Sequence, residues 1–189
     1  MEFLDSSYFW TGPVALVLYT AGFCIATYLT RAPRARITAA LVAGGATAFA
    51  QLGADSAAHA LGLYRYPFVT TPYAPLAFYL VTIPGAGMLA LVVWRVDRRW
   101  STPGVLWFAV VLAAYYAIHD YVTSVVSNLI EFRPGIAGEA GDAVIAFVLA
   151  LVIFGVMRLA GGPSAADGLR GGPGPARGEL EPLAHGAAL

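Results

Sequence analysis

The stretch YAPLAFYLVTIPGAGMLALVVW, residues 73–94, decides the class of fold. It contains no charged side chain, and the charge-free run around it extends from Arg65 to Arg95. A helix needs roughly 20 mainly apolar residues to cross a bilayer, whereas a strand of a membrane β-barrel needs roughly ten and alternates apolar with polar side chains. The stretch has the length of a spanning helix and lacks the alternation. It therefore predicts a transmembrane α-helix.

The segments on either side of this stretch are also apolar, and charged residues mark the gaps between them. The sequence predicts an all-α fold, a polytopic membrane bundle over residues 1–160 with about five transmembrane helices. The helices are predicted near residues 12–30, 36–63, 73–94, 103–128 and 142–159. Residues 161–189 are rich in Gly, Pro and Ala, which bury too little surface to offset the cost of ordering. We expect them to form a disordered, dispensable cytoplasmic tail.

The composition of the whole chain excludes several classes of protein. Hydrophobic residues make up 59% and charged residues 12%, against about 45–50% and about 25% in soluble domains. So few charges cannot cover a soluble surface, which excludes a soluble enzyme and a disordered protein. The 11 basic and 11 acidic residues form no basic block, which excludes a nucleic-acid binder. The single cysteine, Cys24, excludes an intrachain disulfide, and the absence of lysine excludes a retinal Schiff base.

The arginines predict the orientation of the bundle. Nine of the eleven follow the first, third and fifth predicted helices, and the other two are Arg65 and Arg133. Because cytoplasmic loops carry an excess of Arg and Lys, we expect the N-terminus outside and the C-terminus in the cytoplasm. The expected location is the inner (plasma) membrane of the cell, as a multi-pass protein.

Four acidic or histidine side chains lie within the predicted helices, away from the charged residues at their ends, namely Asp55, His59, His119 and Asp120. Such a residue at the centre of a spanning helix costs at least ~2.5–3.5 kcal/mol and usually faces the bundle interior. Counted at ~1.5 Å per residue, all four fall in the outer half of the bundle. Two predicted helices thus place ionisable side chains at the same depth in the membrane, although burying each of them costs free energy. This coincidence indicates a functional site.

Polar side chains at helical spacing accompany these four. On the second predicted helix, Gln51, Asp55 and His59 recur every four residues and share one face. On the fourth, a stripe with similar spacing begins at Tyr116, contains Asp120 and continues towards the outer surface. The two stripes predict that Asp55 and Asp120 face one cavity.

The segment between the second and third predicted helices, residues 63–75, is called the aromatic loop here. It carries Tyr64 and Tyr66 among three prolines, and proline restricts the backbone. We expect an ordered lid over the cavity, although aromatic residues also form plain belts at the membrane interface. Catalytic roles are expected for Asp55, Asp120, His59, His119 and Glu131, and substrate-binding roles for Tyr64, Tyr66, Tyr116, Gln51, Ser124 and Asn128.

Three functions fit this pattern, beside a purely structural role for the polar residues as hydrogen-bonding partners between helices. The first is an intramembrane acid–base enzyme without a cofactor, acting on an isoprenoid or other apolar membrane lipid. The second is a haem or metal site that uses His59 and His119. The third is a small proton-coupled transporter. No oligomeric state is predicted. Small residues of the second helix are predicted to be close-packing positions, for example Ala39, Ala40, Gly44 and Gly45.

The stretch GLYRYPFVTTPYAPLAFYLVTIPGAGMLALVVWRV, residues 62–96, resembles carotenoid hydratases and integral-membrane terpene cyclases. In those families a glycine and an aromatic-x-Tyr segment precede a proline-containing helix that ends in Trp, and membrane carboxylates are implied as proton donors. The resemblance covers about 35 of the 189 residues. The families generally have more spans and an acid near the position of His59, so Asp55 would take that role. The resemblance implies a lyase or isomerase of terpenoid or carotenoid biosynthesis, which cyclises or hydrates its substrate after protonation.

Overall fold

A computed structural model describes residues 6–164, 167 and 169, with side chains from Gly12 onward. The described chain is almost entirely helical, which confirms the all-α class. Its helices are α1 (Ser6–Thr30), α2 (Arg34–Ala60), α3 (Leu76–Ser127) and α4 (Ala137–Gly161). All four are long and apolar enough to cross a membrane. The sequence predicted five helices, and the difference lies in α3.

Helix α3 is 52 residues long, which would be about 78 Å if it were straight. The backbone leaves helical geometry at Ser101, with φ 53° and ψ −158°. Pro103 follows two residues later, and proline cannot donate to the helical hydrogen-bond ladder. Gly85 and Tyr116 line the same cavity, although a straight helix would separate them by about 46 Å. Helix α3 therefore folds back at Ser101 into a first arm (76–100) and a second arm (102–127).

Prolines and residues with a left-handed backbone conformation mark the ends of several helices. Pro33 and Pro75 stand immediately before α2 and α3, where a missing backbone N–H costs nothing. Gly62, with φ 65°, follows the end of α2, and Asn128, with φ 51°, ends α3. Positive φ is the usual conformation of a helix C-terminal stop. Asn128, which the sequence assigned to substrate binding, thus has a structural role at the end of α3.

Two short strands pair the loops at one end of the bundle. Strand β1 (Tyr64–Arg65), in the aromatic loop, is antiparallel to β2 (Glu131–Phe132), which follows α3. Arg65 lies opposite Glu131 in this ladder, and their exposed side chains form a salt bridge of 2.8 Å. The pairing fixes the aromatic loop over the ends of α2, the second arm of α3 and α4.

Close helix packing relies on small residues in α2. A Cβ atom added to Gly44 would lie 2.1 Å from the carbonyl oxygen of Ile83 in the first arm of α3. The neighbouring Ala40 and Ala43 are completely buried. Gly45, also predicted to be a packing position, has no neighbour within 4 Å of an added Cβ. The prediction of close packing therefore fits Gly44 and does not fit Gly45.

At the opposite end of the bundle, arginines hold the first residues after α4. The guanidinium of Arg36 is buried and lies 2.6 Å from the Asp167 carboxylate. It also donates to the carbonyl oxygens of Met157 and Gly161, and Arg98 donates to that of Ser164. The sequence predicted a free tail from residue 161, but Ser164 and Asp167 contact the bundle. The predicted disorder of residues 170–189 lies outside the described residues.

Candidate functional site

A cavity of about 360 Å³ lies between α2, α4 and the two arms of α3, beneath the aromatic loop. This volume is within the range of small-molecule sites. Most of its wall is apolar, and Asp55, Asp120 and Asp142 interrupt it from three different helical segments. Buried charged groups normally have a partner, so the surroundings of each aspartate decide what the cavity can do.

Asp55 is the most deeply buried of the three, with 2% of its surface exposed. Three tyrosine hydroxyls donate to its carboxylate, from Tyr79 at 2.5 Å, Tyr64 at 2.8 Å and Tyr66 at 3.1 Å. Tyr64 and Tyr66 are two residues apart in an extended segment, so their side chains point the same way while Arg65 points outward. These three donors stabilise the ionised form of Asp55 against the cost of burying a charge.

The two tyrosines of the aromatic loop remain protonated in this arrangement. Burial raises the pKa of Tyr64 and of Tyr66 far above the ordinary tyrosine value, and the Asp55 carboxylate raises it further. Both hydroxyls therefore stay hydrogen-bond donors at physiological pH. Hydrogen bonds to Asp55 thus hold the aromatic loop against the wall of the cavity. The salt bridge between Arg65 and Glu131 holds it to the segment that follows α3.

Asp120 is paired with the residue that precedes it. Its Oδ1 lies 2.6 Å from Nδ1 of His119, whose side chain is 48% exposed. Tyr19 of α1 also lines the cavity and is exposed. The cavity therefore reaches the molecular surface between α1 and the second arm of α3, with the His119–Asp120 pair beside this opening.

Asp142, in the second turn of α4, is 8% exposed and lines the same cavity. Its Oδ2 atom has no hydrogen-bond partner among the described residues. Most buried polar atoms in folded proteins are paired, so an unpaired carboxyl oxygen at a cavity wall is a group available to a ligand. No role is predicted for Asp142 from the sequence.

The structure brings together part of the residue set predicted from the sequence. The predicted residues that line the cavity are Gln51, Asp55, Tyr64, Tyr66, Tyr116, His119 and Asp120. The predicted residues that do not line it are His59, Ser124, Asn128 and Glu131.

The four predicted residues outside the cavity have other surroundings. His59 is exposed in the last turn of α2. Ser124 donates to the carbonyl oxygen of Tyr121 in its own helix, and Glu131 pairs with Arg65 on the exposed side of the short ladder. His59 and Glu131 therefore lie outside the cavity, and the catalytic roles assigned to them from the sequence stay predictions.

The two histidines considered as haem or metal ligands lie in different surroundings. His119 lines the cavity, whereas His59 is exposed and does not. Within the described part of the chain, no group of three or more His, Cys, Asp or Glu side chains could hold a metal ion. The arrangement of donors thus gives no support to a site shared by His59 and His119.

No protein-family model matches the chain, and no curated protein or solved structure shows significant similarity to it.

Proposed function

We propose that the chain crosses the membrane five times, with the N-terminus outside and the C-terminus in the cytoplasm. Each arm of α3 has about 25 residues, or about 37 Å of helix, which exceeds the ~30 Å hydrocarbon core. Arg36 and Arg98 both contact the end of α4, so these arginines lie at one end of the bundle. The aromatic loop lies at the other. This distribution supports the positive-inside orientation in an inner (plasma) membrane.

Reporter fusions test this topology. A fusion at residue 68, in the aromatic loop, is expected to report the external side, and one at residue 175 the cytoplasm. Cytoplasmic signals from both positions would contradict the proposed topology, because α2 would then not be a complete span.

We propose further that the protein is an intramembrane acid–base enzyme that acts on an isoprenoid or another apolar lipid. The observation that carries this proposal is the meeting of three carboxyl groups at the wall of one mainly apolar cavity. Carboxyl groups donate and accept protons, and an apolar wall suits an apolar substrate. The opening beside Tyr19, near the middle of α1, would admit such a substrate from the bilayer.

The surroundings of the three aspartates suggest a division of roles. Asp142 is assigned the proton donor, because no donor stabilises a charge on its Oδ2 atom. Transfer of its proton to an alkene carbon forms a C–H bond and leaves a carbocation. Asp55, held as an acceptor by three hydroxyls, stabilises the positive charge. Asp120 takes a proton from the cyclised cation, or from the water that adds to it, and passes it through His119 to the surface. The Asp142 carboxylate regains a proton from water before the next turnover.

Turnover of a neutral polyene tests the enzymatic proposal. The purified protein is reconstituted with an acyclic isoprenoid hydrocarbon, and cyclised or hydrated products are measured by mass spectrometry. Asp142→Asn is expected to lower the rate by at least about a hundredfold, as removal of a general acid does. Asp97→Asn is the matched control, because Asp97 is half-buried and does not line the cavity.

Two further variants separate a catalytic role from a structural one. Asp55→Asn and Asp120→Asn are assayed for both product formation and thermal stability. Loss of activity at normal stability supports the proposal. Full activity in all three aspartate variants would contradict it, and loss of stability without a separate loss of activity would favour a purely structural role.

A further inference from the structure

The acidic side chains around the cavity outnumber the basic ones. Three aspartates line it, and none of the lining residues is an arginine; the chain contains no lysine. His119 is the one basic side chain in the lining, and it is paired with Asp120. Arg65, the arginine of the aromatic loop, points away from the cavity and forms a salt bridge with Glu131. Charges act strongly between low-dielectric walls, so the cavity attracts cations and repels anions.

Aromatic rings form part of the same wall. The rings of Tyr64 and Tyr66 are 6.0 Å apart and inclined at 76°, and those of Tyr66 and Phe68 are 6.2 Å apart and inclined at 66°. All three residues line the cavity. Rings set nearly at right angles offer both faces and edges, and the faces attract organic cations such as quaternary ammonium groups.

Asp142 is a second, independent indication that the cavity binds a ligand. Its side chain is more than nine-tenths buried, and its Oδ2 atom has no partner in the described part of the chain. The Asp55 carboxylate, by contrast, already accepts three hydrogen bonds. Asp142 is protonated in the proposed enzyme before its reaction, so a cation that enters the cavity would displace this proton and pair with the carboxylate that remains.

We propose that this cavity binds lipophilic organic cations, namely quaternary or protonated tertiary amines that carry an apolar chain. The ammonium group lies against Asp142 and the rings of the aromatic loop, and the chain occupies the apolar wall towards the opening beside Tyr19. The proposal concerns the same cavity as the proposed enzyme, but it requires binding and no turnover. In the proposed reaction such an amine would occupy the place of the carbocation and inhibit the enzyme.

The test compares two probes that differ in charge alone. One is decyltrimethylammonium, and the other is the neutral hydrocarbon in which a carbon atom replaces the nitrogen. Binding is measured on the full chain in nanodiscs of zwitterionic lipid, with empty nanodiscs subtracted. The cation is expected to bind at least about tenfold more tightly than the neutral probe, as ring and carboxylate contacts with a desolvated cation would give. Decyl phosphate is expected to show no specific binding.

Variants identify the groups responsible. Asp142→Asn is expected to reduce the preference for the cation to less than about threefold, while the control Asp97→Asn keeps it. Tyr66→Phe keeps the ring and should retain most of the preference, whereas Tyr66→Leu removes the ring and should lose it. The tyrosine pair keeps the proposal testable if Asp142→Asn does not fold.

Two results would overturn the inference: equal affinity for the cation and its neutral isostere, or an unchanged preference in both Asp142→Asn and Tyr66→Leu. Isoprenoid turnover is measured separately on the same preparations. Cation binding without turnover would contradict the enzyme alone, and turnover without preference for the cation would contradict this inference alone.

Discussion

A buried carboxyl group surrounded by phenols is the most constrained feature at the scale of single residues. Tyr79 comes from the first turn of α3, while Tyr64 and Tyr66 come from the aromatic loop. The three hydroxyls approach Asp55 from two segments of the chain, and they tie both segments to α2. The same hydrogen bonds therefore stabilise the charge of Asp55 and close the cavity from above.

Tyr79→Phe tests the contribution of the shortest of these hydrogen bonds. The change leaves buried Asp55 with one donor fewer, and it removes the oxygen that accepts the N–H of Ala74. We expect the free energy of unfolding to fall by about 1–3 kcal/mol, measured by denaturant titration in mixed micelles. Tyr73→Phe is the control, because no hydrogen bond links the Tyr73 side chain to Asp55. Equal losses in the two variants would show that the bond to Asp55 does not matter.

At the scale of helices, hydropathy predicted the positions of the long apolar helices but not the surroundings of every polar residue. Long apolar runs between charged residues indicate helices because the bilayer requires them, and the predicted helices near 73–94 and 103–128 correspond to the two arms of α3. Spacing every four residues correctly joined Gln51 to Asp55. The same spacing places His59 on this face of α2, but the last turn of α2 lies beyond the cavity, because spacing gives the face and not the depth.

The site residues that the sequence does not predict lack a periodic signal. Tyr79 stands among apolar residues and belongs to no polar stripe, so its role depends on a contact with α2 that spacing cannot show. Asp142 lies at the predicted beginning of a helix, where a charge was taken as a boundary. Its depth became evident when the structure began α4 at Ala137, five residues earlier.

Gly44 provides a test of the packing between α2 and the first arm of α3. Its Cβ substituent would meet backbone atoms of Ile83 at 2.1 Å, and backbone cannot move aside as a side chain can. We expect Gly44→Ala to lower the free energy of unfolding by about 1–3 kcal/mol or more. Gly45→Ala is the matched control, since an added Cβ there meets no atom within 4 Å. Similar effects of the two changes would contradict the close approach of the helices.

Ser101 provides a second test at this scale. Its φ of 53° and ψ of −158° lie in a region that is essentially restricted to glycine and costs other residues about 1–3 kcal/mol. Ser101→Gly is expected to raise the thermal unfolding temperature, because glycine adopts this conformation without strain. Ser101→Ala should not raise it. A stabilising alanine would show that the two arms are not joined by this backbone conformation.

At the scale of the whole molecule, the two ends of the bundle are closed in different ways. The aromatic loop end is held by the β1–β2 ladder and the hydrogen bonds to Asp55. At the opposite end, Arg36 and Arg98 bind carbonyl oxygens that follow α4, and Trp94 lies beside both guanidinium groups. A helix C-terminus favours nearby cations, so this cluster fastens α4 to α2 and α3.

Two truncations measure how much this second closure contributes. A chain ending at Gly162 lacks Asp167, and the new terminal carboxylate at Gly162, whose oxygen already lies 3.2 Å from the Arg36 guanidinium, replaces it only in part. Removal of one partner from a buried ion pair typically costs about 3–5 kcal/mol. We expect a loss of about 1–3 kcal/mol in the free energy of unfolding, because the carbonyl oxygens of Met157 and Gly161 remain and Asp167 is 17% exposed. A chain ending at Arg170 keeps every described contact of Arg36 and should match the full chain. If the chain ending at Gly162 is equally stable, the residues after α4 are the free tail that their composition predicted, and the arginine cluster closes the bundle without them.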